Sequence, residues 1–104
     1  MYAQQLSPAT RDRLNAVFTS PDRAEAARLL ATECGNNLPF CEDSDEFTLE
    51  RLRYAAMKLS DGTLADLREA IALAKTDWRD LLMAAGFAED VTAHQRWRPP
   101  GHSG

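Results

Sequence analysis

A chain of 104 residues has room for one hydrophobic core and excludes a second. Its 12 basic and 16 acidic side chains are interleaved and give a net charge of −4, which argues against nucleic acid or an anionic membrane surface as partner. Val and Ile together number 3 while Ala and Leu number 30, a balance that favours helices and nearly rules out a sheet.

In chain order, residues 1–6 are expected to be loose. Ser7-Pro8 reads as an N-cap followed by proline at the first helical position, where a missing N–H costs nothing. A helix over about 8–19 follows, with Leu14, Val17 and Phe18 inward. Ser20-Pro21 repeats the start signal, and the second helix runs over about 21–34, with Asp22 and Glu25 in its first turn. Ala24, Ala27, Leu30, Ala31 and Cys34 share its expected inner face, and Gly35 is its expected left-handed stop.

The stretch Gly35 to Asp45 carries Gly, Asn and Pro as breakers and is the longest loop. The third helix is expected over about 46–60, with a stripe of Leu49, Leu52, Ala56 and Leu59. Ser60-Asp61-Gly62 stops it, and Thr63, with Asp66 three residues on, caps the next. The fourth helix, about 64–85, has the most regular pattern in the chain. Leu64, Leu67, Ile71, Ala74, Trp78, Leu81 and Ala85 alternate at three and four, so the other helices are expected to build on it. A second cap signal at Asp77 offers a break, but the stripe runs through it in register and favours one helix with Trp78 as a core anchor. Gly86 ends it, Phe87 packs back, and a last helix covers about 89–97. The reading is an all-α bundle of five helices without a β-sheet, one domain over 1–98 and a flexible tail over 99–104.

No apolar run approaches the roughly 18 residues that a membrane span needs. The N-terminal stretch has no hydrophobic signal core, so the cytoplasm is the expected location. Cys34 and Cys41 are too few for a disulfide framework. With His94 and His102 they do not form zinc-like pairs, and no metal or cofactor is implied. Cys34 falls on an apolar face and is expected to be buried.

On the fourth helix Asp66, Glu69, Asp77 and Asp80 fall within an arc of about 80°, and Arg68, Lys75 and Arg79 lie across the apolar stripe. Such edges suit contact with a protein partner or with a second copy set antiparallel to the first. They equally suit pairing with the domain's own helices. The first expectation is therefore a non-enzymatic interaction or self-associating protein, with a homodimer or another protein as partner. A small enzyme or redox protein is the alternative, using His94 with Asp90 one turn before it, Cys41 and acidic loop residues. A helix-turn-helix regulator comes third, because its basic recognition face is missing. Arg96-Trp97-Arg98 could stack on a base, although a tryptophan at a helix end more often covers a core.

Overall fold

In the computed structural model, which describes residues 6–34 and 46–99, the central element is the third helix. Five helices occur among the described residues and no strand: α1 (Pro8–Val17), α2 (Ser20–Glu33), α3 (Glu46–Ser60), α4 (Leu64–Ala85) and α5 (Ala93–Arg96). The small all-α bundle expected from composition is what forms. Its hub is α3, which packs against α1, α4 and α5, and not the more regular α4. Leu49 and Leu52 are buried as the stripe requires, but so are Arg53, Tyr54, Ala55, Ala56, Met57 and Ser60, while Leu59 is only half-buried. A helix enclosed on several sides loses the two-faced pattern that makes a surface helix readable.

Local capping follows the sequence closely. The Ser7 hydroxyl accepts the Thr10 N–H at 3.2 Å, with Pro8 at the first position. Leu6, placed with the loose terminus by the sequence, is buried. The cap of α2 is Thr19 and not Ser20, and its side chain makes no capping bond, so proline geometry alone marks this start. Its inner face is Ala26, Leu29, Leu30, Ala31 and Cys34, with Ala24 turned out to solvent. Cys34 is fully buried, as expected.

The α3–α4 hairpin closes through Ser60, whose hydroxyl donates to the Met57 carbonyl at 2.6 Å and whose carbonyl accepts the Thr63 N–H at 3.0 Å. Asp61 and Gly62 both take positive φ, 49° and 86°. A Cβ on Gly62 would stand 3.0 Å from the Val17 carbonyl oxygen and would strain the positive φ, so a side chain here would crowd the packing of the hairpin on α1. Thr63 accepts the Asp66 N–H at 3.1 Å and starts α4. Gly86, at φ 82°, ends it, and the Phe87 N–H returns to the Leu82 carbonyl at 2.9 Å while its ring is buried.

Two expectations for the second half are corrected. α4 is two segments, since Asp77 leaves helical geometry at φ −158°, ψ 100°. The Thr76 hydroxyl donates back to the Ala72 carbonyl, and the Asp77 carboxylate accepts the Arg79 N–H at 3.0 Å, so polar side chains close one segment and cap the next. The apolar side stays inward through the break with Leu81, Leu82 and Ala85, but Trp78 beside it is only half-buried, under the Arg79 guanidinium at 5.4 Å. Trp78→Ala is therefore expected to cost about 1–2 kcal/mol, not the roughly 3–5 kcal/mol of a buried tryptophan. A urea midpoint shifted as far as that of a core truncation would contradict this.

The other correction concerns α5, which spans four residues where 89–97 was expected. Asp90 accepts both the N–H and the hydroxyl of Thr92 at 2.9 Å, and this turn holds residues 90–92 out of a helix. Pro99, assigned by the sequence to the tail, is buried.

Candidate functional site

The basic side chains explain how so small a bundle closes. A helix leaves its last carbonyls without intrahelical donors. Here cations from elsewhere in the chain supply them. Arg23 reaches back to the Phe18 and Asn15 carbonyls at the end of α1, both at 2.9 Å. Arg53 of α3, fully buried, donates through Nε to the Leu30 and Cys34 carbonyls at 3.2 and 3.0 Å. Lys58 donates to the Ala85 carbonyl at 2.8 Å and lies 5.0 Å from the Phe87 ring centre. Arg51 reaches the Phe87 carbonyl at 2.6 Å. Each cation also sits at the negative end of a helix dipole or just beyond it.

The C-terminal segment is tied down in the same way. Arg13 of α1 donates to the Trp97 carbonyl at 3.2 Å and the Gln95 carbonyl at 3.1 Å, with its guanidinium 4.4 Å over the Tyr54 ring. Beside it His94 is fully buried. Its ring centre lies 5.0 Å from Phe47, 5.4 Å from Tyr54 and 6.3 Å from Phe87, and neither ring nitrogen has a hydrogen-bond partner. Burial pushes the His94 imidazole below its ordinary value. Glu50 pulls the other way, Arg51 adds to the lowering, the Val91 carbonyl again opposes it, and Arg13 lowers it further.

Asp90 does not orient His94. Its carboxylate binds the Thr92 backbone N–H, the Arg96 guanidinium and the Thr92 hydroxyl, which together hold it down at about 2. Cys41 and the Gly35–Asp45 loop lie outside the described residues. Of Arg96-Trp97-Arg98, Arg96 pairs with Asp90 and Arg98 donates to the Gln95 and Trp97 carbonyls. Trp97 is half-buried against Tyr54 and Phe87, the core-covering role the sequence favoured.

The seven charged residues singled out on α4 divide at its break. In the first segment Arg68 pairs with Glu25 and Lys75 with Glu33, both acids belonging to α2. Glu25 is held below the usual carboxylate range chiefly by Arg28, and Glu33 chiefly by Lys75. Asp66 and Glu69 are exposed and make no ion pair among the described residues. Beyond the break Asp77 caps, Arg79 covers Trp78 and Asp80 is exposed. A shallow groove of about 230 Å³ runs between α2 and α4, floored by Leu29, Ile71 and Ala72 and edged by Arg28, Arg68 and Lys75. A second cleft of about 350 Å³, with Val17, Met57 and Trp97 in its walls, opens at the α3–α4 turn.

Among the described residues no three His, Cys, Asp or Glu side chains are grouped to hold a metal, and no helix is long and apolar enough to cross a membrane. Comparison with protein-family models, with curated proteins and with solved structures found no significant match to this chain. The sequence reading missed Arg13, Arg51, Arg53, Lys58 and the aromatic setting of His94. Nothing local marks them, because each acts on a distant stretch of the chain.

Proposed function

We propose that this chain is a non-enzymatic interaction protein that self-associates through the outer face of α4. The observation that carries this reading is the charge division of that helix's first segment. Ala65, Ala72 and Thr76 lie exposed along its outer face at helical spacing. Arg68 and Lys75 stand on one side, each still about half exposed, and Asp66 and Glu69, unpaired among the described residues, on the other. Ion pairing with α2 leaves donors of both cations free for a second acid, since guanidinium carries five and ammonium three.

Geometry selects the orientation. An antiparallel pair, the arrangement expected from the sequence, would set each edge against its own kind. A two-fold axis along the helix instead sets acid against base on both sides, so the copies run parallel. Small side chains on the face allow close approach, and apolar contact supplies affinity while the exposed pairs fix orientation.

Sedimentation equilibrium in low salt tests this. A dimer is expected on the order of tens of micromolar protein, weakened by salt and by Arg68→Glu with Lys75→Glu. It should be restored by adding Asp66→Lys and Glu69→Lys. In a Cys41→Ser background, Ala65→Cys and Thr76→Cys should each crosslink to their own copies. A monomer throughout this range would overturn the reading, and a dimer indifferent to the reversals would move the interface elsewhere.

A further inference from the structure

The His94 chamber does something that the helix packing does not require. A core position against Phe47, Tyr54 and Phe87 would be served by an apolar side chain. An imidazole there, with both nitrogens buried, no hydrogen bond formed and only the Val91 carbonyl close by, is best tolerated while it is neutral. The segment that carries it, residues 90–99, is held from outside by few polar ties. Arg13 binds two of its carbonyls, and Arg51 binds the Phe87 and Ala88 carbonyls just before it.

Those two ties are also the cations that act on the ring. From α3 the chamber is faced by Glu50 and Arg51, and from α1 by Arg13. The turn before α5 offers only the Val91 carbonyl, and Asp90 and Arg96 of the same segment are paired with each other at the exposed surface. Lys58 lies against Phe87. Glu50, the one acid among the described residues that acts on the ring, already accepts the Ser7 hydroxyl. A proton on His94 thus adds a positive charge to a buried ring already acted on by Arg13 and Arg51, with Glu50 the one carboxylate acting on it among the described residues.

We propose that His94 is a proton-operated latch: charging its imidazole expels the segment 90–99 from α3 and uncovers the aromatic surface of Tyr54 and Phe87, while α1 to α4 stay folded. The sign follows from linkage. In the released segment the ring recovers its ordinary value near 6.5, and in the docked segment burial lowers it. The released state therefore binds more protons at mildly acid pH. Docking is at full strength above about pH 6.5 and weakens as pH falls, by up to roughly tenfold for each unit until the docked ring's own lowered value is reached.

The test uses the full chain with Trp78→Phe, so that Trp97 is the only tryptophan, and with His102→Ala to remove the other histidine. Between pH 7.5 and 5, Trp97 emission is expected to move to longer wavelength while far-ultraviolet circular dichroism keeps the signal of α1 to α4. The amides of Ala93, Gln95 and Trp97 should exchange faster at pH 5.5 than at 7.5, by up to about tenfold after correction for intrinsic rates. His94→Phe should remove both responses. The exchange measurement in the chain that keeps His94 stands by itself if that variant does not fold. Unchanged Trp97 emission and exchange down to pH 5 would overturn the latch. So would an equal response in folded His94→Phe, or loss of all helical signal in the same transition.

Discussion

Arg53→Ala is expected to remove about 3–5 kcal/mol of stability, the largest loss from any single charged residue described in this chain. Arg53 is fully buried near the middle of α3 and donates to two carbonyls in the last turn and cap of α2. The two carbonyls share one Nε–H; a hydrogen bond from a charged donor contributes roughly 1.5–3 kcal/mol, and an acceptor left buried without a donor costs its desolvation as well. A domain of this size has only about 5–15 kcal/mol in total, so the variant should sit at the edge of folding at 37 °C. Arg53→Met separates the contributions. It refills most of the volume but returns no donor, so the difference between Met and Ala measures packing and the remaining loss measures the carbonyls. Urea unfolding of the three proteins gives both. A loss below about 1 kcal/mol for Arg53→Ala would mean that α2 ends without needing α3.

The same residue shows why part of this structure was legible in the sequence and part was not. Ser7, Thr63 and Gly86 act on groups within four residues, so their roles can be read from neighbours alone. Arg53 acts 19 and 23 residues away, Lys58 acts at 27 and Arg13 at 82 and 84. Nothing local distinguishes them from solvated surface charges. Hydrophobic period failed for a related reason. α4 presents one face to the core and keeps its stripe, whereas α3 is enclosed and carries buried Arg53, Tyr54 and Ser60 that a two-faced reading turns outward. The cap signal at Asp77 and the unbroken stripe gave opposite answers about α4, and the local polar bonds prevailed because the stripe tolerates a break.

The candidate site was legible only in its parts. His94 and Asp90 were paired on an i,i+4 spacing that requires a helix through residue 90, and the turn made by Asp90 and Thr92 removes that helix. The charges of α4 are separated along the sequence itself. Their division between the α2 groove and solvent needed the positions of Glu25 and Glu33.

Tyr54→Ala is expected to cost about 3–5 kcal/mol, with a second effect that marks where the loss falls. Tyr54 is almost fully buried on α3 and is the platform on which three groups meet. Its ring lies 5.4 Å from His94, 6.2 Å from Trp97 and 4.4 Å below the Arg13 guanidinium, and its hydroxyl accepts from Arg13 at 3.3 Å. Truncation removes aromatic area, a cation–π contact and the anchor that orients Arg13 toward the Gln95 and Trp97 carbonyls. Tyr54→Phe keeps the ring and should cost only about 1 kcal/mol. A double-mutant cycle with Arg13→Ala should then show coupling of about 0.5–3 kcal/mol, because each side chain holds the other in place. In the alanine variant, exchange at residues 93–97 should accelerate more than exchange in α4, since the platform supports the C-terminal segment while α4 packs on other residues of α3. Uniform acceleration across both would show that Tyr54 supports the whole core evenly and that the C-terminal segment has no separate anchorage there.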